Sequence, residues 1–221
     1  MKIRWLGHSS FLITSRNGTR IVTDPFTAEI GYDFPGVSAE FVTISHDHFD
    51  HNNSRAVQGA PVVISGSVDC ERNGIRFQGI TSYHDEVCGE KRGLNTVFLI
   101  EVDGVKICHL GDLGQPVCND LISAIGQVDV LLIPVGGTYT IDHNEAINYV
   151  KTLAPTIVIP MHFKTPDLDI DVNGVDAFLS AVIEGEIVKL GADTLPITRE
   201  VINGITRTKI IVLDKRHSFN K

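Results

Sequence analysis

Long apolar runs are missing from this chain. The most extended stretches, such as Val130 to Val135, fall far short of the roughly 20 residues that a membrane-spanning helix needs, so no association with a membrane is expected. Cysteine is scarce as well. Cys70, Cys88, Cys108 and Cys118 lie 18, 20 and 10 residues apart with no C-x-x-C pair, which excludes the paired signature of a structural zinc knuckle or a redox dithiol and leaves reduced thiols as the expected state. Basic residues are outnumbered, 19 Lys and Arg against 27 Asp and Glu, for a formal charge of -8. Nucleic acid and anionic lipid surfaces are gripped by clustered cations, so neither is an expected partner. Any acids that hold metal would make the true balance less negative. The opening Met-Lys-Ile-Arg-Trp-Leu-Gly-His reaches polar residues before an apolar core develops; no secretory signal is read there, and a cytoplasmic protein is expected. No linker rich in Pro, Gly or Ser divides the chain, and no repeat or low-complexity segment occurs, so residues 1–221 are read as one domain.

What is present is an ordinary globular composition, 43% hydrophobic and 21% charged over 221 residues, enough to bury a substantial core. Short, β-branched runs dominate the first half: Ile3 to Leu6, Ser10 to Thr14, Arg20 to Thr23 after an Asn17-Gly18 turn, Phe41 to Ser45, Pro61 to Ser65, Gly74 to Thr81, and Asn95 to Val102 joined through Asp103-Gly104 to Val105 to Leu110. In the second half Asp142 caps a predicted helix with Glu145 at the capping-box position, and Pro155 ends it. Thr156 to Pro160 then reads as a buried strand that delivers Met161-His162 to a loop. Val175 to Ile183 is a second predicted helix stopped near Gly185, and Lys209 to Leu213 a last strand. Strand-rich segments interleaved with helices, in two similar halves, predict an α/β fold of two face-to-face sheets covered by helices outside.

The chemistry concentrates in Phe41-Val-Thr-Ile-Ser-His46-Asp-His48-Phe-Asp50-His51, a buried strand running directly into four ligand-type side chains. On extended chain, residues two apart project to one side, so His46 and His48 can reach one ion. If the chain then turns, Asp50 and His51 face a second, a few ångströms away. Imidazole with carboxylate suits zinc first, with manganese or iron as options. A structural zinc site is closed by four protein ligands, usually including cysteine, and none of the four cysteines lies in this segment, which favours open coordination and catalysis.

The pattern H-x-H-x-D-H after a hydrophobic strand resembles the signature of the metallo-β-lactamase superfamily. Gly7-His8, Thr23-Asp24-Pro25, Ser82-Tyr83-His84-Asp85, His109-Leu-Gly-Asp112 and Ile159-Pro-Met-His162 match its other motifs in order. Pro134-Val-Gly-Gly137 with the following Thr-Tyr-Thr, and Pro160-Met-His-Phe-Lys164, resemble more narrowly the small branch related to L-ascorbate-6-phosphate lactonases. The resemblance implies a four-layer αββα sandwich with a two-metal centre at one edge of the sheets. It assigns His46, His48 and His84 to the first ion, Asp50, His51 and His162 to the second, and Asp112 to a bridge between them. Leu113 departs from the pattern, since a small hydroxyl residue is common there.

Such a centre would acidify a bound water toward a pKa of about 7 and polarise a carbonyl or phosphoryl oxygen. The expected activity is therefore hydrolysis, by metal-bound hydroxide, of an ester-like bond (lactone or phosphoester) in a small molecule, with an anionic substrate as an option. Asp50 would orient the hydroxide, and His8 would donate a proton or touch the substrate. Asp24 is read as orienting a ligand histidine or as a turn element, His109 as packed, His143 as solvated or near the pocket rim, and His217 as uninvolved. Lys91, Arg92 and Lys164 flank ligand-bearing loops and are candidates for receiving a phosphate or carboxylate. Gly136-Gly137 is read as a tight turn. Two alternatives stand beside hydrolysis: a mononuclear iron dioxygenase or related oxidoreductase on the same fold, and a non-catalytic metal-dependent binding or sensing protein.

Overall fold

A computed structural model of the chain describes residues 1–215; His217 lies outside the described residues. In order come β1 (Lys2–Gly7), β2 (Ser10–Thr14), β3 (Arg20–Thr23), β4 (Phe41–Ile44), β5 (Val62–Ser65), β6 (Val68–Arg72), β7 (Ile75–Tyr83), β8 (Leu94–Val102) and β9 (Val105–His109). Then follow α1 (Asn119–Ile125), β10 (Val130–Pro134), α2 (His143–Leu153), β11 (Ile157–Met161), α3 (Asp176–Ala181), β12 (Glu186–Lys189), β13 (Thr194–Pro196), α4 (Arg199–Gly204) and β14 (Lys209–Val212). The strands form two sheets, a six-stranded one ordered β13-β1-β2-β3-β4-β5 and an eight-stranded one ordered β12-β14-β11-β10-β9-β8-β7-β6.

Strand alternation separates the two faces of the smaller sheet. Ile3, Trp5, Phe11, Ile13, Ile21 and Phe41 point into the main core shared with the larger sheet, while Leu6, Val22 and Val42 belong to a second cluster with Ala39 and Val57. A period of two produces this division directly. The outer cluster is closed by Phe34 and Val37 and by the chain around a 3-10 turn at Ser54–Ala56. Helices α1 and α2 lie instead against the larger sheet, touching β7 and β10, and α3 packs on α2. Its strands β10 and β11 are buried along their whole length, as parallel strands covered on both faces must be.

Helix α2 forms where it is expected. The Asp142 side chain accepts from Asn144 and Glu145 N–H, and Ala146, Tyr149 and Leu153 form its buried stripe. The reciprocal half of a capping box is not made, because the Glu145 carboxylate accepts from Asn148 Nδ2 at 3.3 Å. Ala154 ends the helix at a φ of 45°, ahead of Pro155. The Val175 to Ile183 expectation shortens to Asp176–Ala181. Among the described residues no helix is long and apolar enough to cross a membrane.

Two parallel ladders point the same way: β3 with β4 in the small sheet, and β9, β10 and β11 in the large one. Side chains following their carboxyl ends therefore gather at one rim of the sandwich, the usual place for a site in sheets of this kind.

Candidate metal centre

His8 comes from the β1–β2 turn, Asp24 from the end of β3, and His46 to His51 from the end of β4. His84 lies just past β7, Asp112 past β9 and His162 past β11. The His46 to His51 segment closes as a single turn, with His51 N and Asn52 N donating to His48 O at 2.9 and 3.0 Å. That turn carries Asp50 toward His8 and His162 and leaves the His51 ring 4.4 Å from the His46 ring, as near as His48 at 4.5 Å. His8, Asp24 and His162 adopt φ values of 51°, 40° and 51°, a region that costs a non-glycine residue roughly 1–2 kcal/mol. Strain of this kind gathers where side-chain direction matters more than backbone comfort.

The seven side chains assigned by sequence converge. Ligand atoms of His46, His48 and His84 all lie within 4.8 Å of one another, and so do those of Asp50, His51 and His162, joined there by His8. Asp112 stands between the groups. Its Oδ2 lies 3.9 Å from His46 Nε2, 3.6 Å from His84 Nε2 and 3.2 Å from His162 Nε2, while Oδ1 is 3.2 Å from His51 Nε2. His46 Nε2, His51 Nε2 and Asp112 Oδ1 are buried without a hydrogen-bond partner. Buried polar atoms left facing each other in this way are costly unless something satisfies them, and imidazole nitrogens around a carboxylate fit a divalent cation.

Asp24 sets the tautomers. Its carboxylate accepts from Ser45 N (2.8 Å), Ser45 Oγ (2.5 Å) and His51 Nδ1 (2.9 Å). With the Ser45 hydroxyl proton directed at Asp24, Ser45 Oγ accepts from His46 Nδ1 at 2.9 Å. Both imidazoles therefore carry a proton on Nδ1 and turn Nε2 toward Asp112, the arrangement in which an outer carboxylate orients a ligand histidine. A parallel tether runs through Asn95, which the sequence reading missed. Its Oδ1 accepts from Asp112 N at 3.0 Å, and its Nδ2 donates to Ser82 Oγ and Leu110 O at 2.8 and 2.9 Å. An Asn at the head of the strand run Thr96-Val-Phe-Leu-Ile100 was the available signal.

His8 is 1% exposed and reaches Asp50 Oδ2 through Nε2 at 3.1 Å; it does not line the cavity beside the centre. Burial and the neighbouring His162 hold its imidazole down at about 4, so it is neutral near pH 7. His46 is held at about 3 by burial and by His51. His51 moves the other way: Asp112 and Asp50 outweigh its burial and raise it well above the ordinary value. A proton in the metal-free cluster thus rests on His51, between Asp24, Asp50 and Asp112.

His109 is packed, as expected, its ring bonded to Ser9 O at 2.8 Å and to Gly111 N–H at 3.2 Å. His143 is the partly exposed first residue of α2. Gly137 turns the chain at a φ of 63°, and Tyr139 N–H donates back to its carbonyl at 2.6 Å. Asp85, named in the motif with His84, was given no role by the sequence. It is buried, and its carboxylate accepts from Val87, Gly89, Lys91 and Arg92 N–H at 2.7–3.0 Å, folding the 85–92 loop. Burial pushes this carboxyl up, yet the four amides prevail and hold it at about 2. The cavity over the centre has a volume of about 590 Å³, in the range of small-molecule sites.

Residues 2–162 match the model of a beta-lactamase superfamily domain. A metal-dependent hydrolase of Methanosphaera stadtmanae is 31% identical, the alignment covering 89% of this chain and 96% of the relative. A Thermotoga maritima crystal structure, provisionally described as a Zn-dependent hydrolase of the metallo-β-lactamase superfamily, superposes with a TM-score of 0.78 at 36% identity, covering 96% of this chain and 97% of that one. A metallo hydrolase from Ignicoccus hospitalis shares the fold, with a TM-score of 0.63 at 20% identity over 98% of this chain and 96% of that one.

Proposed function

This chain belongs to the metallo-β-lactamase superfamily, and from that premise we propose that it is a metal-dependent hydrolase that holds two divalent cations, zinc first among them, and cleaves an ester-like bond, lactone or phosphoester, in a small molecule. The observation that carries the reading is the pair of ligand groups flanking Asp112, with unpartnered His46 Nε2 and His51 Nε2 aimed at it. His46, His48 and His84 would hold one cation and Asp50, His51 and His162 the other, with Asp112 placed to contribute from between the two groups. Bound cations of this kind acidify water toward a pKa of about 7 and polarise the oxygen under attack.

The chain's own contribution is positional. Asp50 lines the cavity and orients the attacking water. His8, neutral and buried behind Asp50, fixes that carboxylate by donating from Nε2. The proton that the attacking water gives up passes to the Asp50 carboxylate or to solvent, and from there to the leaving group, because His8 has no face on the cavity. A polynucleotide is a poor fit, since Glu29, Asp169 and Asp171 border the same cavity and repel phosphates.

Metal-free protein loaded separately with zinc, manganese and iron tests this reading through metal content, hydrolysis of bis(4-nitrophenyl) phosphate and a γ-lactone panel, and oxygen uptake. Two ions per chain with hydrolysis, abolished in His48→Ala while the fold is retained, is the expected result. His48 is exposed, so its loss leaves the core intact. A single iron with oxygen consumption, or metal binding without turnover, contradicts the reading.

A further inference from the structure

Three basic side chains flank the ligand-bearing loops in sequence, and the structure separates them. Lys91 pairs with Glu86 on the surface. Lys164 Nζ donates to Ile170 O at 3.0 Å and lines a different cavity, beside Trp5 and Phe163. Arg92 alone of the three lines the cavity that contains Asp112 and His162.

Arg92 is also held ready. Its backbone N–H is one of the amides fastened to Asp85, its Nη2 donates to Thr138 O at 3.3 Å, and its guanidinium carbon stands 5.6 Å from the centre of the Tyr139 ring. One of five N–H donors is thereby used, and no carboxylate pairs with the guanidinium among the described residues. The remaining donors form the planar fork that suits an oxyanion. The lining also carries an acidic stretch, Glu29, Asp169 and Asp171, none of them ion-paired among the described residues. That stretch is built where the 28–30 turn and the 165–171 loop join through Asp169 N–H to Ile30 O at 2.8 Å, over a small core of Phe26, Ile30, Leu168 and Val172.

We propose that Arg92 receives a carboxylate-type anionic group of the substrate, so that the cavity selects small esters or lactones bearing one such group and admits them with that end against Arg92. The acidic stretch disfavours the reverse orientation, because an anion placed there meets three carboxylates with no ion pair among the described residues. The inference rests on the hydrolytic reading of the same site.

The test uses zinc-loaded full-length protein with 4-carboxyphenyl acetate and its neutral isostere 4-carbamoylphenyl acetate, each rate normalised to alkaline hydrolysis of the same ester. A charge-assisted contact of this type predicts a kcat/KM ratio favouring the anionic ester by about tenfold or more. The ratio falls to about one in Arg92→Gln and is partly restored in Arg92→Lys, which keeps the charge without the fork. Calorimetry with the products is the second readout: 4-hydroxybenzoate binds wild type at least about tenfold more tightly than Arg92→Gln, whereas 4-hydroxybenzamide does not distinguish the two. A wild-type ratio near one, or 4-hydroxybenzoate binding indifferent to Arg92→Gln, overturns the proposal. Arg92-dependent binding of 4-hydroxybenzoate with neither ester hydrolysed upholds the anion contact and removes the hydrolytic reading instead.

Discussion

Replacing Asp24 by asparagine isolates the outer carboxylate that orients two histidines at once. The backbone favours this variant, because Asp24 sits at a φ of 40° and asparagine tolerates that region well. The volume is unchanged. Chemically the swap is severe, since Asp24 Oδ2 takes protons from both Ser45 Oγ and His51 Nδ1, and an amide NH2 in that place sets donor against donor. Rotating the amide merely transfers the conflict to Ser45 N–H, which donates to Oδ1. At least one charge-assisted bond is lost in either case, worth about 1.5–3 kcal/mol of fold stability. Metal affinity suffers through His51 and, by way of Ser45, through His46; losing such a partner costs about 10–100-fold, or about 1.4–2.8 kcal/mol at 1.4 kcal/mol per decade. Competition titration of zinc against a chelator of known affinity, alongside urea unfolding of the metal-free protein, measures both effects. Zinc affinity within twofold of wild type in a folded Asp24→Asn protein would falsify the tautomer argument.

Zinc binding should release about one proton near neutral pH, because His51 carries one in the metal-free cluster and a ligand imidazole must give it up. Affinity then rises about tenfold per pH unit while His51 remains protonated in the free protein, and calorimetry in buffers of different ionisation enthalpy counts the proton; zero release contradicts the assignment. The Asp85 carboxyl lies below its ordinary 3.8, at about 2, so it stabilises the fold above about pH 4 and loses that effect as pH falls from about 4 toward 2. Urea midpoints of Asp85→Asn should accordingly be lower than wild type at neutral pH and converge on it in that acid window; a gap that does not vary with pH would count against the four-amide account. Gly111→Ala combines a φ of +56° with a methyl forced against Asn95 Oδ1 and the Ser45 side chain, and should cost about 2–4 kcal/mol in urea unfolding together with zinc affinity. An alanine variant of wild-type stability would show that this corner is looser than drawn.

The sequence was most legible where one strand ran straight into ligands. Phe41 to His51 announces its strand, its turn and its chemistry within eleven positions, since period-two alternation and ligand spacing are both local properties. The same holds for α2, whose Asp142 cap and Pro155 stop are local signals. Elements defined only by tertiary contact were not visible. The edge strands β6 and β12 are largely exposed, so no alternation of buried residues marks them, and β13 is three residues long and exists through pairing with β1. Helices α1 and α4 have seven and six residues, too short for helical periodicity to stand out. At the centre, ligand-type residues could be named because few side chains bind metal. Their supports, Ser45, Asn95 and Asp85, are common polar residues whose importance lies in partners up to 21 positions away. His8 shows the same limit: its nearness to the metal site was expected from the resemblance, but its bond to Asp50 and its burial away from the cavity follow from packing against His51 and His162.

Diffraction from zinc-loaded crystals on both sides of the zinc absorption edge would show the metals directly. Two anomalous peaks are predicted, one among His46, His48 and His84, the other among Asp50, His51 and His162, with Asp112 between them. A lone peak, or peaks away from Asp112, would contradict the dinuclear centre on which the proposed hydrolysis depends.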